Sequence, residues 1–171
     1  MSSHDRIRRQ QMVLQAEGYL ELGMPRHALD VLARYGRSDS LPDHALYLQG
    51  EGLRALGHFR EALGPLSRAA QGSPNSVHIW LALGWCHKRT GRIDLAIESL
   101  EEALAVEPNN ALVNYNLACY WSVAGNRRQA LSYLSRSFDL KDHYRALVGS
   151  EPDFDGIRSD PSFQALIRVT V

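Results

Sequence analysis

The sequence predicts an all-α protein built as one stack of helical hairpins, and three observations carry that prediction. Gly23, Gly57, Gly91 and Gly125 stand in register at a spacing of 34 residues. At this glycine content, four in register anywhere in the chain are expected by chance about 0.002 times. Two further columns keep the same period: Ala28, Ala62, Ala96 and Ala130, then Leu32, Leu66, Leu100 and Leu134. On both sides of each glycine, apolar residues recur at the 3-4 spacing of a helix face, and no strand-period run competes. At about 150 residues per domain, 171 residues make one domain. The repeating units run 9–42, 43–76, 77–110 and 111–144, preceded by an extension at 1–8 and followed by a C-terminal cap at 145–171.

Each unit reads as helix A, a tight turn and helix B. The first, the most divergent, carries Met12, Gln15, Ala16 and Tyr19, then Ala28 and Leu32. The second carries Leu46, Gln49, Gly50 and Leu53, then Ala62, Leu66, Ala69 and Pro74. Its Gly64-Pro65 pair falls inside helix B, where a proline removes a backbone bond at a cost of about 3 kcal/mol, so a kink or a shortened helix is expected. The third carries Trp80, Leu83, Gly84 and His87, then Ile93, Ala96, Ile97, Leu100, Ala103 and Leu104. The fourth carries Asn114, Leu117, Ala118 and Trp121, then Ala130, Leu134 and Ser137. The glycine column marks where helix A stops and φ turns positive, which costs glycine least. The alanine column marks the close crossing of A and B. Pro74 and Pro108 end helix B, and Asn75 and Asn110 are expected to cap the next helix. One hairpin cannot bury both of its apolar faces, so each must stack on its neighbours.

In the tail, Asp160 and Pro161 are expected to open a short helix. Phe163, Leu166 and Ile167 would cover the face left bare by the last helix B, and Phe154 and Ile157 would pack under the connecting loop.

Lys plus Arg and Asp plus Glu are both 19, giving zero net charge. That balance argues against a nucleic-acid binder, which displaces counterions with a basic surplus. The N-terminus, MSSHDRIRRQQM, lacks the apolar core of a secretory leader. The most apolar run, Ile79 to Cys86, is far below the roughly 20 residues of a membrane span. Two cysteines, Cys86 and Cys119, do not make a disulfide framework and suit a reducing cytoplasm.

The third unit, Trp80-x-x-Leu83-Gly84-x-x-His87 followed by Ala96-x-x-x-Leu100, Ala103 and Pro108, resembles the tetratricopeptide repeat (TPR), with His87 and Leu100 in place of the usual Tyr and Phe. Together the units cover 136 residues. The tail from Glu151 to Leu166, and Asn116 to Tyr120 before it, resemble the segments that close many bacterial arrays of this type. The resemblance implies a right-handed α-α superhelix and a non-catalytic, cytoplasmic module that binds a peptide or protein segment in a concave groove lined by the A helices. The groove stripe falls at positions 2, 5, 9 and 12 of each unit, one helical face.

From that stripe and the neighbouring position 13, the candidate groove residues are Tyr47, Glu51, Arg54, His78, Leu81, Trp85, Lys88, Arg89, Tyr115 and Cys119. The expected guest buries an apolar side chain against Trp85 and Tyr115 and presents an acidic group to Arg54, Lys88 and Arg89. Glu17, Glu21 and Glu51 make the early groove acidic. Two alternatives stand beside this reading: a self-assembling scaffold that forms a homo-oligomer, and a chaperone for secreted proteins. The Lys and Asn pattern with which related arrays clamp carboxylate termini is missing in either register, so heat-shock co-chaperone activity is not implied. No phosphate loop, dinucleotide fingerprint or nucleophile elbow is present. No cofactor or metal is expected. Cys86 and His87 are neighbours on a helix and point about 100° apart, and Cys86, His87 and Cys119 lack the paired spacing of a zinc site.

Overall fold

The computed structural model describes residues 3–36 and 40–168. Residues 37–39 of the first unit, the first two residues of the extension and the last three of the cap therefore lie outside the described residues.

Four antiparallel hairpins follow one another: α1 (Ser3–Glu21) with α2 (Pro25–Tyr35), α3 (Asp43–Ala55) with α4 (Phe59–Gly72), α5 (Val77–Arg89) with α6 (Ile93–Val106), and α7 (Ala111–Val123) with α8 (Arg127–Leu140). From Ser3 onward the expected extension runs on as the first turns of α1, which has 19 residues where α3, α5 and α7 have 13 each. The chain then forms α9 (Tyr144–Leu147), 3-10 turns at Val148–Ser150 and Pro152–Ile157, and α10 (Pro161–Ile167).

The register follows the three columns. Gly23, Gly57, Gly91 and Gly125 have φ between 69° and 80°, the left-handed conformation that ends each A helix. All four column alanines are fully buried, and the column leucines are at most 1% exposed. Helix A comes close to helix B at position 8 of the unit, about two turns before the glycine column. At Gly50 a Cβ would run into the side chain of Leu66, and at Gly84 it would lie 3.2 Å from the Ala96 carbonyl. Trp80 packs against the buried clusters of both halves of the stack and joins them into one core. Its indole N–H donates to the Pro74 carbonyl oxygen at 2.7 Å.

Two local expectations are corrected. α4 is not shortened at Gly64-Pro65: it runs for 14 residues, the length of α6 and α8. The bond Pro65 cannot make would have gone to the carbonyl of Glu61, an exposed residue. Gly64, lacking a Cβ, removes much of the clash that disfavours helical backbone before proline. At the start of α5, Ser76 rather than Asn75 holds the capping position, without a side-chain bond. Asn110 does cap α7, its side-chain oxygen accepting from the Val113 N–H at 3.1 Å.

In the tail, the expected capped helix forms, and the packing of the turn before it is corrected. Asp160 caps α10 by accepting from the N–H groups of Ser162 and Phe163 at 2.9 and 3.2 Å, and Phe163 is fully buried. Phe154 and Ile157 do more than fill the underside of a loop, because the Pro152–Ile157 turn packs against α7, the A helix of the last unit. Arg158 fixes that turn by donating to the carbonyls of Val148, Gly149 and Glu151 and to the Asp155 carboxylate.

Candidate functional site

The A helices present their stripe on one side of the stack, and the tail divides that stripe in two. At the C-terminal end the tail covers it. Phe154, fully buried, sets its ring edge-on to Tyr115 at 5.9 Å between centroids, and Tyr144 stacks on Tyr115 at 4.9 Å. Tyr115 is left 5% exposed and Cys119 3%. Burial pushes both the Tyr115 phenol and the Cys119 thiol well above their usual ranges, and the nearby carboxylates of Glu151 and Asp153 push in the same direction. The Tyr115 hydroxyl is buried without a hydrogen-bond partner among the described residues. These two predicted site residues therefore face the chain's own tail, not an open groove.

The predicted cationic centre is also engaged from within. Lys88 pairs with Asp153 of the tail, and its ammonium lies 5.3 Å from the ring centre of Tyr120 and 5.8 Å from that of Trp85. Arg54 makes a two-pronged pair with Glu51, one turn earlier on α3: Nε to Oε1 at 2.7 Å and Nη2 to Oε2 at 2.8 Å. Arg89 turns to the start of α4, its guanidinium 4.9 Å from the ring centre of Phe59. The three cations expected to receive an acidic guest do not converge on open space. In place of the guest's carboxylate, Lys88 already holds that of Asp153.

The middle of the stripe stays open. Tyr47, Glu51, Arg54, His78, Leu81 and Trp85 line one cavity of about 210 Å³, joined by Ala82, Leu112 and Asn116. Trp85 and Leu112 are 41% and 42% exposed, unusual for such large apolar side chains. Burial pushes the Tyr47 phenol up to about 12, with Glu51 adding to the shift. Towards the N-terminus, Tyr47 and His78 also border a second cavity of about 390 Å³ with Glu17 and His44. His44 Nε2 lies 3.6 Å from Glu17 Oε1. His44 then borders a third cavity of about 410 Å³, whose other lining includes Arg6, Arg9, Val13 and Tyr35. Shared residues thus link the three into one trough from α1 to α7. Leu112 and Asn116 were missed as site residues, although Leu112 lies on the predicted stripe. Arg6 lies in the extension and Arg9 at position 1 of the first unit, both outside the stripe positions 2, 5, 9 and 12.

Neither cysteine has the setting of a nucleophile. Cys86 is fully buried and its thiol is pushed up to about 11 by burial, with Arg54 opposing. Among the described residues, no three His, Cys, Asp or Glu side chains gather closely enough to hold a metal ion. None of their helices is long and apolar enough to cross a membrane.

Four stacked helix–turn–helix units with a covered C-terminal end define the chain as an α-solenoid, a class that presents extended concave binding surfaces. Residues 53–118, just over a third of the chain, match the tetratricopeptide repeat. The same helix–turn–helix architecture continues on both sides of the matched segment, so the chain has the fold of a tetratricopeptide-repeat array. Among solved structures it is similar to MamA, with a TM-score of 0.72 at 18% identity over 81% of each chain. It is similar to YrrB, described as a TPR protein with an unusual peptide-binding site, with a TM-score of 0.69 at 26% identity over 77% of this chain and 69% of that one. It also shares its fold with the Yersinia enterocolitica type III secretion chaperone SycD, solved with a peptide of the translocator YopD, with a TM-score of 0.55 at 20% identity over 71% and 88%. Among curated proteins, none matches.

Proposed function

We propose that this protein is a non-catalytic interaction module that binds a peptide or protein segment in the open part of its concave trough. The observation that carries this reading is the paired exposure of Trp85 and Leu112 over one cavity, flanked by Tyr47, His78 and Leu81. A large half-exposed indole in a concavity is the kind of group that anchors a partner's apolar side chain. The peptide-binding site named for YrrB supports the same role for a fold of this kind. Of the predicted site residues, Tyr47, Glu51, Arg54, His78, Leu81 and Trp85 form the binding surface. Lys88, Tyr115 and Cys119 serve the cap, and Arg89 supports the A–B packing. An acidic group on the guest finds no free cation at the centre.

The test is capture of partners from the native host by the immobilised protein, compared with Trp85→Ala. Trp85 lies outside the buried core, so the variant is expected to keep its fold, checked by its thermal midpoint. Loss of the captured partner is expected. Undiminished capture by a folded Trp85→Ala protein sinks the groove reading.

A further inference from the structure

The trough does not end at the acidic first unit but opens, past His44, beside the N-terminal turns of α1. Arg6 and Arg9 stand there three residues apart on one helix face. Among the described residues, Arg6 makes no ion pair, and the contact of Arg9 is stacking over the Tyr35 ring, 5.0 Å from its centre. Stacking of this kind leaves a guanidinium's N–H donors free for a carboxylate. Arg8 and Arg34 line the adjoining cavity with Arg9, against a single carboxylate, Asp5. Among the described residues, Arg6 and Arg9 thus differ from Arg54 and Lys88, which are paired with carboxylates of the protein itself.

The chain also carries an example of what its concave face accepts. Its own tail lays Asp153 on Lys88 and the next residue, Phe154, among aromatic rings. An acidic residue on a groove cation beside an apolar anchor is therefore a combination this surface already binds.

Resting on the groove reading above, we propose that the partner is an acidic–apolar linear segment. Its apolar side chain sits against Trp85, Leu81 and Leu112, and its carboxylate is held by Arg6 and Arg9 at the N-terminal mouth. Neighbouring helices pack 8–10 Å apart, and Arg6 lies about 16 Å along α1 from Glu17, the counterpart of Trp85 in the first unit, so the two anchor points lie on the order of 25 Å from each other, about seven residues of extended chain. Glu17 does not forbid this. It lies eight residues beyond Arg9, roughly 12 Å along the helix, past the screening length of about 8 Å, with His44 beside it.

The experiment selects a phage-displayed library of random twelve-residue peptides on the full chain, then measures the enriched peptides by fluorescence anisotropy. The expected consensus holds an aromatic or aliphatic residue and an Asp or Glu about seven positions away. Arg6→Glu should weaken those peptides about tenfold, and added salt should weaken them on the wild type. Arg6 is exposed and makes no ion pair among the described residues, so its variant is expected to keep the fold; Arg9→Glu is the second variant, with the thermal midpoint as its control. Peptides that need Trp85 but show no acidic bias, or ignore Arg6→Glu, overturn this proposal and leave the groove reading standing. Peptides indifferent to Trp85→Ala, or no enrichment at all, overturn both.

Discussion

Phe154→Ala measures how firmly the tail closes the C-terminal end of the trough. The ring is fully buried, edge-on to Tyr115 and 5.6 Å from Phe163 between centroids. An aromatic side chain buries about 150–250 Å². At about 25 cal/mol per Å², and with alanine keeping part of that area, its removal costs roughly 3–4 kcal/mol. The total stability of a domain is only about 5–15 kcal/mol. Because each unit is held mainly by its neighbours, the loss should fall on the cap and the α7–α8 hairpin first. Urea unfolding followed by far-ultraviolet circular dichroism should therefore show an early transition ahead of the main one. The Tyr115 phenol, now held above its ordinary range by burial under Phe154 and Tyr144, should titrate closer to a free tyrosine. A loss below about 1 kcal/mol, with Tyr115 titrating as in the wild type, would refute the placement of the tail on α7.

Three further outcomes follow from the packing. Gly50→Ala gains helix propensity but drives a Cβ into the fully buried Leu66, so a net loss of about 1–2 kcal/mol is expected in urea melts, more than for Gly84→Ala. Pro65→Ala returns a helical bond to the Glu61 carbonyl and, with Gly64 already easing the clash, should raise stability by only about 1 kcal/mol; an unchanged or lowered midpoint would refute a cost at Pro65. The His87 ring is held below its ordinary titration range, by burial first and then by Arg92. The unfolded chain thus takes up the proton first. Stability from this group is complete above about pH 6.5 and falls as the pH drops below it. The fall in thermal midpoint from pH 7.5 to pH 5 should be larger for the wild type than for His87→Phe.

The stack was legible in the sequence because its causes are periodic. The column at Gly57 and Gly91 announces a backbone conformation, and Ala96 with Leu100 announces a packing face. The stripe through Tyr47, His78, Leu81 and Trp85 was legible for the same reason: one helical face repeats in every unit. Lys88 and Tyr115 lie on that face too, yet their partners, Asp153 and Phe154, lie 65 and 39 residues further along, in a segment with no repeat of its own. No periodic pattern reports a fold-back of that kind. Arg54 shows a nearer limit. Its position was right, but the carboxylate one turn earlier, Glu51, had already claimed it, and spacing alone does not reveal which of two partners a guanidinium takes.

The way α10 and the Pro152–Ile157 turn seal the last hairpin also bears on how such a chain can lengthen. A fifth hairpin appended after Leu140 would need the surfaces that Phe154 and Phe163 now hold, so duplication at that boundary would expel the seal. Copies of the 34-residue block inserted between existing hairpins would disturb neither end. An array with this seal grows from within, and engineered longer versions should be spliced internally.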